Sequence, residues 1–201
     1  TGVSLSPASL TLNQGSSTNL TANFTPSYAT VTTGVWSSSN PGVATVDGSG
    51  RVTGVSVGSA TITFTSEDGG HTAQSNVQVV NPVTGVTLNL STLSLPRGES
   101  YTLIPQVLPV DATNQNVTWT SSNSSYVSVN SAGVITATTN INYVGRSATI
   151  TVRTVDGGFT ATCVVTVGSP VTGVSLSPSS ITVQQGSYSD LTAVVSPADA
   201  A

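Results

Sequence analysis

Two stretches of the chain repeat one another and constrain the rest of the sequence. Residues 35–40 read Val-Trp-Ser-Ser-Ser-Asn, and residues 117–123 read Val-Thr-Trp-Thr-Ser-Ser-Asn. They contain the only two tryptophans, Trp36 and Trp119, which are 83 positions apart. Because self-similarity at a fixed offset indicates repeated structural units, the sequence predicts a tandem array rather than one large domain.

Other landmarks keep the same spacing. A Thr-Gly-Val-(Ser/Thr)-Leu opening occurs at Thr1, Thr84 and Thr172, at intervals of 83 and 88 residues. The recurring glycines and prolines are Gly15, Gly98 and Gly186; Pro26, Pro109 and Pro197; and Gly50 and Gly133. The five extra residues of the second repeat enter after Ala137. These offsets predict units at residues 1–82, 83–170 and 171–201, of which the last contains only the N-terminal part of a domain.

The hydrophobic pattern within each unit is that of short β-strands. In residues 18–24, Leu20, Ala22 and Phe24 alternate with polar residues, which predicts one half-buried strand. Residues 59–80 continue this alternation on both sides of a Glu-Asp-Gly-Gly sequence typical of a hairpin turn. About seven such strands in roughly 85 residues, without helical periodicity, predict an all-β fold of tandem immunoglobulin-like β-sandwiches.

The second repeat gives the same pattern, and the joints between units are short. Its predicted inward-facing residues are Tyr101, Leu103, Val107, Trp119, Val127, Val129, Ile135, Ala148, Ile150, Val152, Ala161, Val165 and Val167. The joints contain Pro82 and Pro170, and proline restricts the backbone torsion φ. We therefore expect the sandwiches to be arranged as a rod that bends little.

The composition argues against several classes of partner. Charged residues make up 6% of the chain, and four Arg with no Lys leave little to neutralise the phosphates of a nucleic acid. No apolar run approaches the roughly 18 residues that span a bilayer, so we expect no membrane insertion. Cys163 is the only cysteine, so the chain has no internal disulfide, and stability must come from burial and hydrogen bonds.

The repeated motifs are similar to those of a known family. The first repeat contains Thr-Gly-Val-Ser-Leu-Ser-Pro at residues 1–7, Trp-Ser-Ser-Ser-Asn-Pro at 36–41, Val-Ala-Thr-Val at 43–46, Gly-Arg-Val-Thr-Gly at 50–54 and Val-Gly-Ser-Ala-Thr-Ile at 57–62. This string resembles the bacterial Ig-like domain, group 2, over both full units and part of the third. The resemblance implies a module of bacterial surface proteins or of phage tail, fibre and head-decoration proteins. It carries over no catalytic residue.

Several single residues invite a functional reading that their positions do not favour. Trp36 and Trp119 are of the type that stacks on sugars, but their equivalent positions on alternating strands predict core residues. Cys163 is in phase with inward-facing Val165, so we expect a buried thiol. His71 lies beside a turn, where we expect an exposed side chain without a catalytic partner.

The acidic residues predict turns rather than metal ligands. Glu67, Asp68 and Asp156 lie in equivalent turns, and no Asp-x-Asp-x-Asp spacing occurs that would gather the oxygens calcium requires. We therefore expect no metal and no cofactor. A single histidine cannot equip two repeats for nucleophilic catalysis, and carboxylates in hairpin turns are poor candidates for glycoside hydrolysis. The sequence predicts that the chain is not an enzyme.

The insertion in the second repeat is the best remaining candidate for a contact site. It contains Asn140, Ile141, Asn142 and Tyr143, and it places an aliphatic and an aromatic residue in a loop that breaks the repeat. Loops on rigid scaffolds often carry recognition. Packing of this loop against its own domain is an equal alternative.

These features predict a structural or spacer module of a bacterial cell-surface or phage virion protein, located outside the cell. Its expected partners are other copies of itself, which would form a filament, or other surface and virion proteins. The alternatives are an adhesive module that binds a host-surface glycan or protein through its loops, and an accessory segment of a secreted hydrolase. Half a sandwich at residues 172–201 leaves an apolar face uncovered. We expect further chain, rather than a neighbouring subunit, to cover it.

Overall fold

The computed structural model describes residues 2–196, which form β-strands joined by turns. Two compact units are present: Thr1–Val83 with Asp111–Asn114, and Thr84–Val110 with Gln115–Ala201. Among the described residues, no helix is both long enough and apolar enough to cross a membrane.

The first unit is a two-layer β-sandwich. Its strands are β1 (Gly2–Ser6), β2 (Ser9–Asn13), β3 (Ser17–Asn19), β4 (Thr21–Thr25), β5 (Gly34–Ser38), β6 (Ala44–Val46), β7 (Arg51–Gly54), β8 (Gly58–Ser66) and β9 (Thr72–Val80). They form sheets of order β2-β9-β8-β5 and β3-β7-β6 and a pair β1-β4. All neighbours are antiparallel except β2 and β9, which run parallel from Ser9 opposite Asn76 to Asn13 opposite Val80.

Side chains from these sheets meet in one core. Ala60, Ile62 and Phe64 alternate along β8 and are buried, as the period of two predicts. They pack with Leu5 of β1 and Val52 of β7, so the sheets lie face to face. The turn predicted between β8 and β9 is present and includes Gly69 and Gly70, both with positive φ.

The second unit repeats this architecture. Its elements are β10 (Gly85–Leu88), β11 (Thr92–Pro96), β12 (Ser100–Thr102), β13 (Pro105–Leu108), β14 (Val117–Ser121), β15 (Val127–Val129), β16 (Val134–Ala137), a 3₁₀ helix (Ile141–Tyr143), β17 (Ser147–Thr154) and β18 (Thr160–Gly168). The sheets have the order β11-β18-β17-β14 and β12-β16-β15, with the pair β10-β13. Their inner faces enclose a core that includes Leu103, Ile135, Ile150 and Val165, each 0% exposed.

The predicted single strand over residues 18–24 was wrong. The chain breaks at Leu20 into β3, which pairs with β7, and β4, which pairs with β1. The backbone N–H of Leu20 donates to the carbonyl of Gly50 at 2.9 Å, and the Leu20 side chain is buried at the break. The second unit makes the same bond from Leu103 to Gly133, at 3.0 Å. The period of two detects the buried side chains but not the change of strand partner between them.

The inward orientation predicted for Tyr101 was also wrong, since 37% of this residue is exposed. It lies on β12, a three-residue strand at the edge of its sheet on which every residue is exposed. Its hydroxyl accepts a hydrogen bond from Asn89 Nδ2 at 3.3 Å. A tyrosine at a sheet edge can keep its ring against the protein and its hydroxyl near water, which a fully buried position would prevent.

The third repeat is represented by one antiparallel pair, β19 (Gly173–Ser177) with β20 (Thr192–Ser196). No strand forms in the described segment between them, and residues such as Val174, Leu176 and Val195 are exposed. The landmark Pro197 and the residues after it lie outside the described part of the chain.

Candidate functional site

The inserted loop of the second unit is an ordered turn attached to its own domain. The side chain of Asn140 caps the 3₁₀ helix by accepting from the N–H of Asn142 at 3.0 Å. The N–H of Gly145, which has a φ of 78°, donates to the carbonyl of Val167 at 2.7 Å. The N–H of Val167 in turn donates to the backbone carbonyl of Arg146 at 2.8 Å. Backbone bonds therefore return the chain from the insertion directly to the last strand.

An aromatic contact fixes the inner side of this loop. The rings of Tyr143 and Tyr126 lie 4.9 Å apart, tilted by 59°, and both side chains are half-buried. Tyr126 occupies the position of Val43 in the first unit, where no insertion is present. The larger ring in the second unit thus provides the packing partner for the inserted tyrosine.

The outer side of the loop presents Ile141, which is 60% exposed. The guanidinium of Arg97 supports the start of the loop through a bond from Nη1 to the carbonyl of Thr139 at 3.4 Å. In the first unit Gln14 occupies the equivalent position and donates to the carbonyl of Val55 at 3.1 Å. The candidate set thus divides into a packed residue, Tyr143, and an exposed residue, Ile141, with Asn140 and Asn142 holding the turn between them.

The two tryptophans pack against the cores, as predicted, although each remains partly exposed. A Cβ added at Gly50, which has a φ of 83°, would lie 2.8 Å from Cζ2 of Trp36 and 2.7 Å from the Leu20 carbonyl oxygen. Gly133 has the same relation to Trp119 and Leu103. Each indole therefore lies against the backbone of a glycine. Any other residue at that glycine position would displace the indole.

Asp47 is a turn-forming acid. Its carboxylate accepts from the hydroxyl of Ser49 at 2.6 Å and from the N–H groups of Ser49 and Arg51 at 2.9 and 3.1 Å. These hydrogen bonds, that of the Ser49 hydroxyl first, lower the pKa of Asp47 below its ordinary value. Within residues 2–196, no three His, Cys, Asp or Glu side chains form a group that could hold a metal ion.

Cys163 and His71 occupy the environments expected of them. Cys163 is 0% exposed, and burial raises the pKa of its thiol, which disfavours the reactive thiolate. His71 is exposed beside the turn that follows β8.

One of the concave surfaces that sequence reasoning missed lies beside Trp36. A groove of about 600 Å³ runs between β4 and β5, and its lining includes Trp36, Phe24 and Phe64. Phe64 lies edge-on to both of the other rings, with centroids 4.9 Å from Trp36 and 5.8 Å from Phe24. The aromatic residues are visible in the sequence, but the opening between them depends on the break at Leu20, which no periodicity indicated.

The repeated sandwich and its recurring Trp–Gly contact agree with a comparison against protein families. The bacterial Ig-like domain (group 2) matches twice, over residues 1–77 and 82–165. The chain belongs to the bacterial Ig-like domain family, group 2. The resemblance drawn from the motif string is confirmed, as is the all-β immunoglobulin-like fold class.

Relatives of these group 2 Ig-like domains include quite different proteins. An Ig-like virion protein of Serratia phage KSP90 is 32% identical over 122 residues, which cover 59% of this chain and 46% of the relative. An alpha-L-arabinofuranosidase of Bifidobacterium longum is 39% identical over 119 residues, 56% of this chain and 11% of the relative. The chain thus spans less than half the length of either protein.

A comparison with solved structures matched, among others, the S-layer protein rSbsC(31-844). It is 23% identical and has a TM-score of 0.38, with 79% of this chain and 24% of that chain covered. Sequences similar to this chain thus occur in a phage Ig-like virion protein and within a polypeptide that is named as an alpha-L-arabinofuranosidase.

Proposed function

We propose that the chain is a non-catalytic spacer in a bacterial cell-surface or phage virion protein, and that it acts outside the cell. The observation that carries this proposal is that each full repeat closes around its own core, in a family of non-catalytic domains. Such units can be added in series to increase length without changing the chemistry of the protein. The similarity to a phage Ig-like virion protein supports the virion setting.

The spacer role requires a stiff, elongated arrangement of the units. Small-angle X-ray scattering of the 201-residue chain tests this requirement, because it measures the radius of gyration. A compact chain of this length would have a radius of gyration of about 17 Å. Nine-residue strands are about 30 Å long, so two full units and the start of a third, placed end to end, would extend over about 75 Å and give a radius of gyration of about 22 Å. A value near 17 Å would contradict the spacer proposal. A scattering mass that grows steadily with concentration would support assembly of copies into a filament.

A variant of the first joint tests stiffness itself. Pro82→Gly removes the restriction on φ, and we expect a smaller radius of gyration with a broader distribution of interatomic distances. Pro41→Gly, in an exposed loop within the first unit, is the matched control and should leave the scattering curve unchanged. Equal curves for Pro82→Gly and the parent chain would show that the proline does not set the stiffness.

A second function, adhesion through the inserted loop, is favoured by the exposure of Ile141 on a turn held by backbone bonds. The expected partner is a host-surface glycan or protein. Binding of the chain to host-cell membranes should then fall on Ile141→Ser, while Val155→Ser, another exposed aliphatic residue of the same unit, should have no effect. Equal binding by the parent and both variants would remove the loop from consideration.

A further inference from the structure

The groove beside Trp36 lies between two strand edges of the first unit. β4 pairs only with β1, and β5 is the outer strand of the four-stranded sheet, so both edges that flank the groove lack a neighbouring strand. The turn at Gly48 and Ser49 closes one end. At about 600 Å³ the opening falls within the range of small-molecule sites.

The floor of the groove is aromatic and is held rigidly. Phe64 is 3% exposed and contacts Trp36 and Phe24 at edge-on angles of 61° and 84°. Trp36 and Phe24 remain partly exposed and line the opening. Gly34 makes room for this cluster, because a Cβ there would lie 2.4 Å from Cζ of Phe64. The floor therefore offers preformed aromatic surface to a ligand.

The rim offers neutral hydrogen-bonding groups that the protein leaves free. No described residue forms a hydrogen bond with the side chains of Asn19, Thr21 or Thr32, all of which line the groove. None of the described lining residues is charged. Two carboxylates lie beside the rim: Glu67 accepts from the hydroxyl of Thr33 at 2.5 Å, and Asp47 accepts from the hydroxyl of Ser49 at 2.6 Å. A carboxylate beside the rim disfavours an anionic ligand.

The second unit lacks these features at the equivalent positions. Val107 and Val152 replace the two phenylalanines, and Val117 replaces Gly34. Exposed Ile104 stands in place of Thr21. Gln115 stands in place of Thr32, and its amide donates to the carbonyl of Val110. Unpaired strand edges are present in both units, so the aromatic floor and free polar rim of the first unit need a separate explanation.

We propose that the groove of the first unit binds a neutral saccharide chain, a role beyond that of a spacer. The apolar C–H faces of a sugar ring lie against Trp36 and Phe24, and its hydroxyls bond to Asn19, Thr21 and Thr32. A peptide strand added to the edge of β4 would use backbone groups that both units present. The features confined to the first unit instead match a ligand with alternating apolar faces and hydroxyls.

Tryptophan fluorescence tests the proposal in a Trp119→Phe chain, where Trp36 is the only indole. The probes are the neutral oligosaccharides cellohexaose, xylohexaose, mannohexaose and arabinohexaose, and the anionic hexagalacturonate. We expect at least one neutral probe to shift the Trp36 emission with a saturating curve below about 10 mM. Absence of saturation by every neutral probe, or equal binding of hexagalacturonate, would overturn the proposal.

Rim variants locate the site without touching the core. Thr21→Ile introduces the residue of the second unit at an exposed strand position, and we expect it to weaken binding about tenfold. Asn19→Ala should weaken binding as well, whereas Ile104→Thr in the second unit is the control and should not. Unchanged affinity in both rim variants would refute the site. A Val/Thr decapeptide that displaces the sugar and protects the β4 amides from hydrogen exchange would also refute the proposal, because the occupant of the groove would then be a peptide strand. Because scattering measures the spacer role separately, the two proposals can fail independently.

Discussion

At the scale of the residue, the two units stabilise the equivalent turn with different side chains, Asp47 in the first and Asn130 in the second. Asp47 accepts two backbone N–H groups in the first unit, and Asn130 accepts those of Ala132 and Val134, at 2.9 and 3.0 Å, in the second. Only the aspartate can be titrated. The chain thus contains a charged turn and a neutral counterpart, and the second also lacks the Ser49 hydroxyl because Ala132 stands at that position.

This difference predicts that the turn of the first unit, unlike its counterpart in the second, contributes a pH dependence to stability. Because the folded pKa of Asp47 is lowered, its contribution to stability is complete above the ordinary aspartate range, about pH 4, and is lost as the pH falls through the folded pKa. Asp47→Asn should therefore reduce the loss of stability between pH 7 and pH 3, as measured by urea unfolding. Asn130→Asp should add such a loss to the second unit. Identical pH profiles for the parent and Asp47→Asn would contradict the assignment.

At the scale of the element, the turn between β6 and β7 controls the position of the tryptophan. Gly50 needs both its positive φ and its missing Cβ, whereas a Cβ at Gly48 of the same turn would meet nothing within 4 Å. The strand break at Leu20 depends on the Gly50 carbonyl as well. One glycine therefore links the edge of the sheet, the indole and the change of strand partner.

Of the two glycines in this turn, only Gly50 should lower the free energy of unfolding strongly when it is replaced. Gly50→Ala forces a strained backbone and a collision with Leu20 and Trp36, so we expect a loss of about 2 kcal/mol or more in the free energy of unfolding. Gly48→Ala should change that free energy by less than about 0.5 kcal/mol. Urea unfolding followed by tryptophan fluorescence measures both variants. Similar losses in the two would show that the Trp–Gly contact is unimportant.

Sequence patterns predicted the strands correctly where the alternation of buried and exposed side chains alone determined the structure. Alternation located the buried side chains of β8 and β9 because one face of each strand is covered. It failed at Leu20, where a residue keeps its buried side chain while its backbone changes partner, and at Tyr101, where a sheet edge allows exposure. The repeat isolated the inserted loop, but the pairing of Tyr143 with Tyr126 depends on three-dimensional proximity that no spacing contains.

At the scale of the whole molecule, each full repeat has a core of its own, which predicts separate unfolding transitions. Ile62 and Ile150 occupy equivalent positions and are each 0% exposed. Ile62→Ala should lower the melting temperature of the first unit by about 10–30 °C and leave the second unchanged, and Ile150→Ala should do the reverse. Differential scanning calorimetry resolves the two transitions. A single transition that shifts equally in both variants would mean that the units unfold together.

The parallel pairing of β2 with β9 has a mechanical consequence. These strands come near the start and the end of the first unit, and β11 and β18 have the same relation in the second. Tension applied between the ends of a unit pulls two parallel neighbours in opposite directions along their length. Their ladder of hydrogen bonds is then loaded in shear, all bonds at once, instead of opening one bond after another. A protein exposed to flow or to attachment forces would be protected by such a parallel strand pair in each of the two full repeats.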